Sequence, residues 1–364
     1  MPATETNLVD KRLALRASSK QLAGAGHSHP SDELERIAAY IREHNICSDV
    51  YGSGSVVEQL EGKVADLFGM EAARYMPSGC MAQPIALRIW AERVGVFDTA
   101  FHATSHLELH EEKGYSALHR LKAHLLGDET RPTLACDLEG LPPLSSLLIE
   151  LPAREIGGQL PTWDELVELT KAARKKRIRL HLDGARLWEA QAFYNRPFAE
   201  ICGLFDSVYV SFYKGIGALA GAMLLGPRDF IDEAVLWQRR QGGTLYSALP
   251  NIVSAKMRLD GQLERMPAYR QRAIEIAALW NEFEGASTLP IVPQVNMFHL
   301  LLDGKVEELL QARDRAAEQH GLWLVSYLKG DGDVARTEIT IGDAALALTD
   351  DELRAAIANF LKKP

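Results

Sequence analysis

Cysteine is scarce in this 364-residue chain, and its four copies, Cys47, Cys80, Cys136 and Cys202, are scattered with no Cys-x-x-Cys pair. That spacing indicates neither a disulfide framework nor a zinc site, and reduced thiols in a cytosol are the simple expectation. Basic charge is also short. Forty lysines and arginines face 49 acids, for a net charge of −9, whereas a general nucleic-acid binder carries a basic face. The one basic run, Arg174-Lys-Lys-Arg177, reads as the solvated end of a helix, where cations suit the dipole. No apolar run reaches the roughly 18 residues of a membrane span. The opening Met1-Pro-Ala-Thr-Glu-Thr-Asn7 lacks the apolar segment of a signal peptide. The expectation is a cytoplasmic protein with no nucleic-acid or membrane partner.

Apolar residues are plentiful, at 47%, enough for one large domain and a smaller one. Residues 1–30 are polar and read as an N-terminal arm, 31–250 as the large domain and 251–364 as the small C-terminal domain. Between about 70 and 250, short apolar runs alternate with helical periodicity. The runs at 72–76, 147–151, 178–182, 207–210 and 221–225 read as strands. The stretches 56–68, 80–94 and 163–176 read as helices. This alternation predicts an α/β fold with a mainly parallel central sheet flanked by helices. After 250 come a long helix over 252–283, strands near 295–302, 322–325 and 337–341, and helices over 305–318 and from 350. That order predicts a smaller α+β domain. No internal repeat is present.

Two segments carry chemistry. Arg179-Leu-His-Leu-Asp183-Gly-Ala-Arg186 is a strand that ends in a carboxylate, with an arginine three residues on. Asp206-Ser-Val-Tyr-Val-Ser-Phe-Tyr-Lys214-Gly-Ile-Gly-Ala218 is a strand followed by a lysine among glycines. In a doubly wound sheet, ligands sit at the carboxyl ends of the strands, so Asp183, Arg186 and Lys214 share one edge. Either segment alone could serve a turn or a buried salt bridge. Together they suit pyridoxal 5'-phosphate: an amine to bind its aldehyde, and a carboxylate to keep its ring nitrogen protonated. Pro77-Ser-Gly-Cys80 follows a strand and opens a helix, so its free N–H groups could hold the phosphate, helped by the Ser78 hydroxyl. A plain capped helix start would read the same way.

Five of the eleven histidines fall between 102 and 124. His102, His106 and His110 recur at i+4, a helical metal-ligand spacing. The cofactor chemistry requires an aromatic face over the ring and no metal, so no metal is assigned. His110, His119 and His124 are expected at the surface.

With these segments in view, the chain resembles the threonine aldolase/β-eliminating lyase family of fold-type-I enzymes that use pyridoxal 5'-phosphate. The resemblance rests on Asp49-Val-Tyr-Gly52, Pro77-Ser-Gly-Cys80, Ser105-His106 with Glu111, His181-Leu-Asp183-Gly-Ala-Arg186, Ser211-Phe-Tyr-Lys214-Gly-Ile-Gly, Arg239-Arg-Gln-Gly-Gly243 and Asn296-Met-Phe298, over roughly residues 49–342. It implies that Lys214 carries the cofactor, Asp183 pairs with its ring nitrogen, and His106 stacks on the ring near the substrate hydroxyl. Gly79 and Cys80 would hold the phosphate through backbone N–H groups. Arg186 and Arg336 would bind the substrate carboxylate. Tyr51 would reach in from a neighbouring subunit, in a homodimer or homotetramer with shared active sites.

Three segments depart from the family pattern. An opening Arg-Ser-Asp-Thr stretch is absent. The threonine usual after Ser-Gly is Cys80. The Glu-Asn segment usual after strand 147–151 reads Glu150-Leu-Pro-Ala-Arg154. The implied activity is cleavage of a β-hydroxy-α-amino acid, of the L-threonine or L-allo-threonine type, to glycine and an aldehyde. A β-eliminating lyase or racemase on the same scaffold is the alternative within enzymes. A decayed cofactor-binding scaffold is the alternative outside them.

Overall fold

The structure, a computed structural model, describes residues 3–26, 29–330 and 332–362. It divides into two compact units, residues 30–265 and residues 1–29 together with 266–364. The division falls inside the helix Leu249–Asn281. Its strands are β1 (Lys20–Gln21), β2 (Ala72–Met76), β3 (Asp98–His102), β4 (Lys122–Leu126), β5 (Ser146–Glu150), β6 (Arg179–Gly184), β7 (Ser207–Ser211), β8 (Ala222–Gly226), β9 (Ala286–Leu289), β10 (Met297–Asp303), β11 (Leu322–Trp323) and β12 (Val334–Thr340).

In the 30–265 unit seven strands form one sheet in the order β2-β8-β7-β6-β5-β3-β4. β8 runs antiparallel to β2 and β7, and every other pairing is parallel. The expected mainly parallel α/β sheet is therefore present. Successive strand residues point to opposite faces. All five residues of β7 and of β8 are buried, so both faces are covered there, as in parallel sheets generally.

The helix Gly79–Val94 lays Ile85, Ile89 and Trp90 into a cluster with Tyr209, Leu224 and Phe230. Trp90 stacks on Phe230 at 4.8 Å and donates its indole N–H to Ser207 Oγ at 2.9 Å. The helix Ser55–Phe68 buries Val56, Val57, Leu60, Val64 and Phe68. It ends at Gly69, whose φ of 62° is the left-handed closure that glycine adopts without strain.

β3 and β4 were not expected from the sequence. β4 is an edge strand that buries only Leu126 fully, so its apolar period is weak. β3 carries the first histidine of the supposed helical series. His119, expected at the surface, is 1% exposed. Its ring lies 5.7 Å from Trp237, and its Nε2 meets the Gln241 amide at 2.7 Å. The cover comes from residues more than a hundred positions downstream, which local periodicity does not register.

The other unit holds an antiparallel sheet in the order β12-β10-β9 and a parallel pair of β1 with β11. The segment expected as a polar arm contains the helix Ala3–Ser18 and β1. Arg12 pairs with Asp314 at 2.7 Å. Trp280 meets Phe360 edge-on at 5.9 Å. Among the described residues no helix is long and apolar enough to cross a membrane.

Candidate active site

The parallel register sets three side chains in one row at the carboxyl edge of the large sheet. Glu150 on β5 pairs with Asp183 on β6, and Asp183 with Tyr209 on β7. Lys214 follows β7 by three residues. Its carbonyl accepts from Gly217 N–H at 2.9 Å, a turn that places Gly217 at φ 70°. A pocket of about 380 Å³, partly open to solvent, lies over this edge. Gly79, Cys80, His106, Asp183, Arg186 and Lys214 all line it, so six of the residues singled out in the sequence converge. Ser78 caps the adjoining helix in extended conformation without a side-chain cap bond.

Two expected residues, Tyr51 and Arg336, are not among those that line this pocket. Tyr51 is 57% exposed and meets Tyr246 edge-on at 5.4 Å. Arg336 lies on β12, in the other unit, opposite Leu301. His102 ends β3 and bonds Thr104 Oγ1 and the Asp128 carbonyl, at 2.7 and 3.0 Å. His106 begins a separate four-residue helix. The i+4 spacing is thus not one helical face.

Charge is concentrated in the pocket. Asp183 is 1% exposed and accepts from Ala185 N–H at 3.0 Å. Burial raises its carboxyl above the ordinary range, while the Lys214 charge opposes that rise. Burial and the Asp183 charge push Glu150 up to about 8. Burial and the Arg186 charge hold the Lys214 amine below the ordinary lysine range, against the pull of Asp183 and Glu150. His106 Nδ1 meets Glu111 Oε1 at 2.8 Å, and the two rings of His106 and His110 lie 5.0 Å apart.

These residues fit pyridoxal phosphate. A buried carboxylate faces a lysine whose burial favours the neutral, nucleophilic amine. The first N–H groups of the helix Gly79–Val94 have no partners within it, which suits a phosphate. Gly79 is required there, because a Cβ would stand 2.0 Å from Tyr209 Oη. Gln83, 2% exposed and lining the same pocket, has a buried Oε1 without a hydrogen-bond partner.

The family model described as beta-eliminating lyase matches residues 29–302. The chain belongs to this family. Its members are lyases that depend on pyridoxal phosphate. A protein from Exiguobacterium sp. 255-15, named as a candidate aromatic amino acid β-eliminating lyase/threonine aldolase, superposes with a TM-score of 0.91 at 40% identity, covering 95% of this chain and 98% of its own. A candidate L-allo-threonine aldolase from Listeria monocytogenes EGD-E gives 0.91 at 38% identity, over 97% and 99%. The low specificity L-threonine aldolase of Escherichia coli K12 is 30% identical over 202 residues, which are 54% of this chain and 60% of that protein. The chain thus spans little more than half the length of the curated relatives it matches, 53% and 60% for the first two.

Glu150, Gln83 and Tyr209 were not anticipated as pocket residues. Glu150 could have been found by the reasoning applied to Asp183, since it is the one charge closing the apolar run Leu147-Leu-Ile-Glu150. Gln83 carried no such signal, as it is a single polar residue inside a helix.

Proposed function

We propose that the protein cleaves a β-hydroxy-α-amino acid of the L-threonine or L-allo-threonine type to glycine and an aldehyde. The observation that carries this reading is the His106–Glu111 pair, which lines the same pocket as Lys214 and Asp183. Bound pyridoxal phosphate supplies an electron sink for the pair of electrons released at Cα.

The chain's own residues do the rest. Lys214 holds the cofactor through its amine. Asp183 would pair with the cofactor's ring nitrogen, and a positive charge there would offset the burial penalty on its carboxylate. Gly79, Cys80 and Ser78 hold the phosphate at the helix start. Glu111 accepts the Nδ1 proton of His106 and so leaves Nε2 as the acceptor for the substrate β-hydroxyl proton. Loss of that proton lets the Cα–Cβ bond break and the aldehyde leave. Arg186, which lines the pocket, binds the substrate carboxylate, for which the guanidinium fork is suited. Tyr51 acts at a neighbouring copy's site in a homo-oligomer, in keeping with its exposure.

The test is product analysis. Incubation with L-threonine or L-allo-threonine should give glycine and acetaldehyde in equal amounts. Incubation with L-serine should give little pyruvate. Pyruvate from serine without glycine from threonine would assign β-elimination instead and remove the base role of His106.

A further inference from the structure

One corner of the pocket holds a donor set that the aldolase reading does not need. Cys80 Sγ, a ring nitrogen of His106 and a carboxylate oxygen of Glu111 all lie within 4.8 Å of one another. The thiol is this chain's own departure, standing where the resemblance leads one to expect a threonine. Thiolate, imidazole and carboxylate together make a mixed S/N/O set, which suits Zn²⁺ or Cd²⁺ and not the all-oxygen cations Mg²⁺ and Ca²⁺.

The geometry is near what such an ion requires. Zinc bonds of about 2.0–2.3 Å place tetrahedral ligand atoms roughly 3.3–3.6 Å apart. The His106 Nδ1–Glu111 Oε1 contact of 2.8 Å must therefore open slightly, and Cys80 Sγ, within 4.8 Å of both donors, must settle to that spacing. Cys80 is exposed and His106 half-buried, so both side chains have room to turn. All three residues line the pocket.

We propose that Cys80, His106 and Glu111 bind a soft divalent cation, and that this cation and pyridoxal phosphate exclude one another. Binding forms one metal–sulfur bond and releases the thiol proton to solvent, with no change of oxidation state. The exclusion rests on the proposed cofactor placement, since the His106 ring would stack on the cofactor in one state and turn to the cation in the other. The site is a point of inhibition by the cation and of protection by the cofactor.

Cd²⁺ reports thiolate ligation through an ultraviolet charge-transfer band. Full-length chain carrying Cys47→Ser and Cys136→Ser, which removes the two other exposed thiols, is titrated with Cd²⁺ with and without pyridoxal phosphate. Cofactor uptake is followed separately by its visible absorbance. One equivalent of Cd²⁺ should develop the band in cofactor-free protein. Adding Cys80→Ser should abolish it, and Glu111→Gln should weaken Cd²⁺ binding by at least about tenfold, the loss that follows even when a group outside the ligand set is removed. Prior loading with pyridoxal phosphate should suppress the band. A band that survives Cys80→Ser, or no band at all, overturns the site. Simultaneous binding of both ligands overturns the exclusion. A band on Cys80 in a chain that never takes up pyridoxal phosphate supports the metal site and overturns the cofactor reading, so the two failures are distinct.

Discussion

Acidification should load protons onto two buried histidines only when the chain unfolds. His181 and His119 are 0% and 1% exposed, and each has one ring nitrogen, Nε2 and Nδ1 respectively, without a hydrogen-bond partner. Burial lowers His181 from 6.5 to about 3. Burial and the Arg88 charge lower His119 to about 4. At about pH 5.5 each is neutral in the fold and protonated in the open chain, so each takes up about 0.9 proton on unfolding. Glu150 works in the opposite sense. Its folded value of about 8 against an ordinary 4.5 means that it releases about 0.9 proton on unfolding at the same pH.

The sign follows for stability. A lowered histidine loses stability as pH falls below 6.5 toward its folded value, at about 1.2 kcal/mol per pH unit for 0.9 proton. Glu150 offsets one of the two histidines. Proton uptake on urea unfolding of the cofactor-free chain, followed in unbuffered solution, measures this directly. His181→Asn should lower the uptake by about 0.9 proton and flatten the acid loss of stability, whereas Glu150→Gln should raise the uptake by a similar amount. An unchanged uptake in His181→Asn would show that His181 is already charged in the fold, and that the burial argument is wrong.

Other outcomes follow from the pocket. Asp183→Asn removes the charge opposite the ring nitrogen, so turnover should fall by at least tenfold, the kinetic equivalent of one pKa unit or about 1.4 kcal/mol, while cofactor still binds; steady-state assay and visible absorbance check both parts. Gly79→Ala places a Cβ 2.0 Å from Tyr209 Oη, and overpacking of this kind costs about 1–3 kcal/mol. Loss of melting temperature and weaker cofactor uptake should appear together. Arg186→Lys should raise the Michaelis constant for the amino acid, because a lysine cannot reproduce the two parallel hydrogen bonds of a guanidinium. Activity of the cofactor-loaded enzyme should survive EDTA, since no metal takes part in the proposed chemistry.

Much of this was legible in the chain because its signals are local. Apolar strands that end in a single charge pointed to Asp183 and Lys214, and glycine beside a helix start pointed to the turn at Gly79; all three line the pocket. Strand order then brings these together, since parallel strands share one carboxyl edge. What was hidden depends on contacts distant in sequence. β3 and β4 lie toward one edge of the sheet, and β4 lacks a strong apolar period. His102 and His106 read as one helix because spacing alone cannot report the strand end between them. His119 read as exposed because Trp237 and Gln241, which cover it, are far along the chain. Gln83 entered the site only because its helix begins at the pocket.

The central claim is that Lys214 is the cofactor's anchor. Reduction of the pyridoxal phosphate-loaded protein with borohydride fixes the cofactor to whichever amine holds it, and peptide mass spectrometry then locates it. The expected result is a pyridoxyl adduct on the peptide containing Lys214, lost in Lys214→Ala. An adduct on any other lysine, or none on a protein that has taken up the cofactor, would contradict it.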